Sequence, residues 1–154
     1  MATPSEKLAN SLEILKQLQD TGTASIRSND LTRTHRERLI KHGFMQEVMK
    51  GWYISSRPNE NAGESTAWYA SYWSFCASYL TARFGNKWCL SPEQSILIHA
   101  GNSYIPKQLL VRTPKANNKI TKLPHDTSLF EVQANMPATV NIDIKDELRL
   151  FWER

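Results

Sequence analysis

The sequence predicts an α+β chain in two parts, and three observations lead there. Apolar residues recur at helical spacing near the N-terminus, a short basic helix is followed by a Gly-containing hairpin pattern, and the second half alternates short apolar runs with turn residues. With 154 residues, 40% hydrophobic and 22% charged, the chain has room for one ordinary domain or two very small ones. Its longest apolar runs, such as Ile96-Leu97-Ile98, are too short to cross a membrane. The first residues, Met-Ala-Thr-Pro-Ser-Glu-Lys, lack the basic-then-apolar secretory pattern. A cytoplasmic location without a membrane partner is the expectation.

The first element is a helix. Thr3-Pro4-Ser5-Glu6 has capping-box spacing with Pro near the first helical position. Leu8, Leu12, Leu15 and Leu18 lay one apolar stripe along it, and Gly22 is the expected terminator. Ala24-Ser25-Ile26 reads as extended, and Ser28-Asn29-Asp30 as the cap of a short helix around Leu31. Thr32 or Thr34 then opens a basic helix that Gly43 closes, with Leu39 and Ile40 as its narrow buried face. Phe44 to Val48 and Trp52 to Ser55 read as strands joined by Met49-Lys50-Gly51, where Gly supplies a positive φ. Helix, strand stub, short helix, basic helix and hairpin, in that order, describe a winged helix-turn-helix over residues 1–57.

A polar linker, residues 56–65, leads to a small α+β domain over residues 66–154. Thr66 opens a long helix to about Phe84, ended by Gly85. Trp68, Tyr72, Phe75 and Tyr79 on one face and Trp73, Cys76 and Leu80 beside it predict a buried packing helix rather than a cofactor cage. Trp88 to Leu90 is a short strand, and Ser91-Pro92-Glu93-Gln94 starts a further helix running towards Gly101. Leu109 to Val111 is a strand, with Lys119 to Leu123 as its expected hairpin partner. Leu129 to Val132 and Thr139 to Ile144 add strands. Cys76 and Cys89, 13 positions apart, read as buried small hydrophobes and not as a disulfide or zinc framework.

Charge is unevenly spread. The total is +4, but residues 27–57 hold seven basic against three acidic side chains, residues 101–125 hold five basic and none acidic, and residues 126–154 hold three basic against six acidic. In a winged helix the helix before the wing enters the major groove and the wing tip meets the backbone. The expected duplex-DNA contacts are therefore Arg27, Arg33, Thr34, His35, Arg36, Arg38, Lys41 and His42, with Lys50 at the wing tip. Arginines suit phosphates and guanine edges, and Thr34 and His35 sit where a recognition helix meets bases. The later cations Lys107, Arg112, Lys115, Lys119 and Lys122 would favour DNA if they shared that face.

No catalytic constellation is legible. The four histidines, His35, His42, His99 and His125, form no metal-spaced pair. Phosphate-loop, Gly-x-Ser-x-Gly and Cys-His signatures are absent. Asp143, Asp146 and Glu147 read as a solvated acidic corner. The expectation is a non-enzyme with no cofactor and no metal.

The stretch from Arg27 to Ser55, with Leu31, the Thr34-His35-Arg36-Glu37-Arg38-Leu39 helix, Gly43 and the Lys50-Gly51-Trp52-Tyr53 wing, resembles the N-terminal winged helix of AbiEi-type antitoxins. Ser91 to Ser95 through His99, then Ile105-Pro106 and Leu109 to Val111, is similar to the helix and strand that follow there, so the likeness spans about residues 10–115. The strings Leu31 to Leu39, Glu47 to Trp52 and Leu90 to Ser95 also resemble the N-terminal winged-helix region of long bacterial Fic-family proteins. The resemblance implies a bacterial regulatory module: an operator-binding, autoregulating antitoxin-like transcriptional regulator, with a toxin or a Fic-type catalytic domain as partner. It also implies the N-terminal part, or a shortened relative, of such proteins. The Fic motif His-Pro-Phe-x-x-Gly-Asn-Gly-Arg is missing, because Gly101-Asn102 is not preceded by the required residues. Operator binding would bring a homodimer. The other reading is a protein-interaction domain that restrains or targets a Fic-type enzyme without touching DNA.

Overall fold

The computed structural model describes residues 2–21, 25–58, 65–102, 104–137, 139–142 and 148–152. Its class is mixed α+β, as the sequence predicts, and it divides into two compact units, Met1–Ser71 and Tyr72–Arg154. Among the described residues no helix is long and apolar enough to cross a membrane.

The first unit begins with α1 (Pro4–Asp20). Thr3 caps it, its Oγ1 accepting from the Glu6 N–H while the Glu6 carboxylate accepts from the Thr3 N–H, so both arms of the capping box are made. The helix stops at Asp20, and the expected terminator Gly22 lies outside the described residues. Strand β1 (Ser25–Arg27) follows. The short helix expected around Leu31 is instead one 3-10 turn, Ser28–Asp30, tied by the Arg27 N–H donating to the Asp30 carboxylate at 2.9 Å. Leu31 is extended and buried, because the core has room for its side chain once the backbone has left the turn.

Helix α2 (Arg33–Lys41) has Thr32 as its cap. It ends in a full Schellman motif: the Gly43 N–H donates to the Ile40 carbonyl and the Phe44 N–H to the Leu39 carbonyl, with Gly43 at φ +81°. Strands β2 (Met45–Met49) and β3 (Trp52–Ser55) form the predicted hairpin, and β1 pairs antiparallel with the other edge of β3, giving the order β1-β3-β2. Leu15, Ile26, Leu31, Leu39, Met45 and Tyr53 make the core of this unit, with Leu12, Ile14, Leu18 and Phe44 packed around them. Ile40 does not join it. That side chain is 39% exposed, because helical spacing puts it on the side of α2 that carries Arg33, Glu37 and Lys41, away from buried Leu39.

Helix α3 (Thr66–Phe84) has the predicted bounds, and Trp68, Tyr72, Trp73, Phe75, Cys76, Tyr79 and Leu80 are all buried, as a packing helix requires. The second unit continues with β4 (Cys89–Leu90), α4 (Pro92–His99), β5 (Gln108–Thr113), β6 (Ile120–Leu123), β7 (Thr127–Gln133), β8 (Thr139–Ile142) and β9 (Arg149–Trp152). Ser91 Oγ caps α4 by accepting from the Gln94 N–H. The reciprocal arm of the box is not made, because the Ser91 N–H is already committed to the Leu110 carbonyl.

One expected pairing is corrected. Strand β6 is not the partner of β5; the order is β4-β5-β7-β6, with β5 and β7 parallel and β6 antiparallel to β7. Two features explain it. His125 and Asp126 both have positive φ and the Thr127 N–H closes on the Pro124 carbonyl, a type I′ pattern that fixes a tight β6–β7 hairpin. Strand β7 also turns Thr127, Leu129 and Glu131 inward, against two inward positions on β6, so β7 takes the central place and lysine-bearing β6 the edge. Strand β9, which pairs with β8, is not among the strands the sequence predicts; Leu148 and Leu150 are buried within the net-acidic stretch 126–154. Residues 143–147, with the Asp143, Asp146 and Glu147 corner, lie outside the described residues.

Cys76 and Cys89 are free and buried. Burial pushes both thiols up from their ordinary range; the Tyr72 hydroxyl at Cys76, and Arg112 and Arg149 at Cys89, pull the other way without reversing it. The thiolate is the reactive form, so raising the pKa lowers its population. Iodoacetamide at mildly alkaline pH is expected to leave the native chain unmodified and to add two labels after denaturation, as read by intact mass. Rapid labelling of native protein would show that a thiol is accessible.

Candidate nucleic-acid interface

The chemistry of α2 starts with which side chains face outward. Arg33, Thr34, Glu37, Ile40 and Lys41 are exposed, while His35, Arg36 and Arg38 are half-buried and Leu39 is buried. Helical periodicity puts the exposed five on one side, opposite the contact with α1.

Within that frame the nine predicted DNA-contacting residues divide into two groups. Thr34, Lys41, His42 and Lys50 are exposed, and among the described residues no hydrogen bond or ion pair holds their side chains. The other five are engaged by the protein itself. Arg33 Nε donates to the Glu37 carboxylate at 2.7 Å, a one-turn pair that raises the guanidinium pKa through the hydrogen bond and charge of Glu37. Both partners are solvent-exposed, so the pair contributes little to stability and is easily exchanged for another anion. Arg36 Nη1 donates to the Ser28 carbonyl at 2.9 Å and lies 5.9 Å from the Tyr53 ring. Arg27 stacks 4.4 Å over the Trp52 ring, next to the turn of the β2–β3 hairpin.

His35 and Arg38 meet on one buried hydroxyl that the sequence reading missed. Ser11, fully buried on α1, has its Oγ 2.8 Å from His35 Nδ1 and 2.9 Å from Arg38 Nη1, and Arg38 also donates to the Lys7 carbonyl. This three-residue junction fixes α2 against α1 in rotation. Ser11 falls between the leucines of the apolar stripe at helical spacing from Leu8 and Leu15, so a polar residue on that face was the available signal.

At the hairpin tip, Lys50 is exposed and Gly51 has φ +86°, while the Ser28 N–H donates to the Gly51 carbonyl. The turn after β1 therefore braces the tip that carries Lys50. In the second unit Arg112 is drawn inward, 5.2 Å over the Phe151 ring and bonded to the Asn135 carbonyl. Lys107, Lys115, Lys119 and Lys122 are exposed. Among the described residues no three His, Cys, Asp or Glu side chains gather as a metal site would require.

No model of a known protein family matches this chain, and no curated protein does either.

Proposed function

We propose that the N-terminal unit is a winged helix-turn-helix that binds duplex DNA, with α2 as recognition helix and the β2–β3 hairpin as wing. The order α1, β1, 3-10 turn, α2, β2, β3 with sheet order β1-β3-β2 supports this reading. The observation that carries it is the outward side of α2, where Arg33, Thr34 and Lys41 lie clear of the protein interior, followed directly by a braced turn presenting Lys50. Ile40 on the same side offers an apolar contact of the kind that thymine methyl groups accept. Arg36 and Arg38 set the helix in place and approach phosphates only with the donors left over. On this reading the chain is a transcriptional regulator of the antitoxin-like kind that its sequence resembles, acting on its own operon as a homodimer beside a toxin or a Fic-type partner, in the cytoplasm and without enzymatic activity.

The test is fluorescence anisotropy with a labelled duplex from the chain's own upstream region, titrated over salt. Binding is expected to weaken with a log–log slope of about −0.9 for each phosphate contact, and replacing Lys41 and Lys50 together by alanine to lower the slope by about 2 units. Among the described residues those two side chains hold no hydrogen bond or ion pair, so the variant is expected to keep its fold. Absence of any salt-sensitive duplex binding would overturn the proposal.

The second reading, a protein-interaction module, is favoured by one observation: five of the nine expected contacts are spent within the protein, including the Arg33–Glu37 pair on the exposed side.

A further inference from the structure

The outward face of the β5–β7–β6 sheet carries an apolar row that no described element covers. Leu110 lies opposite Phe130 in the parallel pair, and Ile120 lies opposite Phe130 in the antiparallel one. Leu110 is 38% and Ile120 56% exposed, with Phe130 half-buried between them. Single exposed aliphatics are ordinary on a protein surface, but two that flank a half-buried phenylalanine in register, on strands about 4.8 Å apart, form a contiguous patch.

The charges around the row give the partner its chemistry. Lys122 is the next residue on β6 with its side chain on the same face, and Lys107 leads into β5, its carbonyl held by the Ser128 N–H. The carboxylate on these three strands, Glu131, points the other way, fully buried and held by Arg83. After Glu131, the acidic residue nearest to the row in sequence is Asp126, exposed in the β6–β7 turn. A second copy of this chain would set lysine against lysine. A single-stranded nucleic acid would find one half-buried ring between two aliphatics, which is no stacking platform.

We propose that this face docks a protein segment that presents apolar side chains flanked by carboxylates. The apolar row supplies the contact, and Lys107 and Lys122 set its orientation and favour acidic partners over basic ones. The proposal does not depend on DNA binding by the first unit.

The experiment uses the full chain and a fluorescein-labelled synthetic peptide of leucine and glutamate in amphipathic order, read by anisotropy. A leucine–lysine peptide and oligothymidylate serve as competitors. The acidic peptide is expected to bind saturably, and Ile120→Asp and Lys122→Glu each to weaken it by about tenfold or more, the two being exposed positions whose circular dichroism should stay unchanged. Neither competitor should displace it. The proposal is overturned if the acidic peptide does not bind, if neither substitution weakens it, or if the basic peptide or oligothymidylate displaces it.

Discussion

Replacing Gly43 by alanine is expected to destabilise the chain by about 2–4 kcal/mol, more than the same change at Gly51, Gly85 or Gly101. Two costs add. The Gly43 backbone sits at φ +81°, where an L side chain meets the following carbonyl at a cost of about 1–2 kcal/mol. A Cβ built there would also stand 3.0 Å from the Pro58 Cα, a backbone atom that cannot turn aside as a side chain would. Either response, straightening φ or pushing the Pro58 segment away, disturbs the Schellman bonds to Leu39 and Ile40 that end α2. Gly101 supplies the control. It closes α4 with the same pair of bonds at φ +84°, but nothing lies within 4 Å of its would-be Cβ. Gly101→Ala should therefore cost only the conformational part, about 1–2 kcal/mol, and the difference between the two variants measures the Pro58 contact. Urea unfolding followed by far-ultraviolet circular dichroism decides it. Equal losses in the two variants would mean that the Pro58 segment yields freely.

That turn also shows what was legible in the sequence. Gly43 after a capped basic helix marks a helix end from residue type alone, because only a few residues accept positive φ. Thr3, Thr32, Ser91 and the hairpin glycine Gly51 are equally local signals, and each element they bound was placed within a residue or two. What escaped the reading was non-local. The parallel pairing of β5 with β7 depends on which strand has most to bury, and the turn that sets it, His125-Asp126, contains no glycine to announce it. Strand β9 escaped because four of the seven residues between Asn141 and Arg149 are charged, and its burial of Leu150 depends on the rest of the unit. The candidate interface was legible as composition but not as exposure. Seven basic residues over positions 27–57 are visible in the string. That Arg36 and Arg38 turn towards a backbone carbonyl and a buried serine follows only from the packing of α2 on α1.

Arg83→Met is expected to cost about 3 kcal/mol, because it leaves a buried carboxylate without its partner. Glu131 on β7 is fully buried, and Arg83 Nη2 straddles its two oxygens at 3.0 and 3.1 Å from the end of α3. The arginine side chain is 31% exposed, so solvent screens part of the attraction and the loss falls at the lower end of the range for buried pairs. Arg83 also lies 5.0 Å from the Phe84 ring and 5.7 Å from the Tyr79 ring. Methionine keeps most of that contact, which is why it isolates charge better than alanine does. Glu131→Gln removes the charge and still offers Arg83 an acceptor, so its cost should be near 1 kcal/mol. Removing both charges together, as Arg83→Met with Glu131→Leu, should return stability close to that of the parent, since an apolar pair has no desolvation to offset. If urea unfolding shows that Arg83→Met costs no more than Glu131→Gln, the pair holds α3 to β7 by packing, and water already reaches Glu131 in the native state.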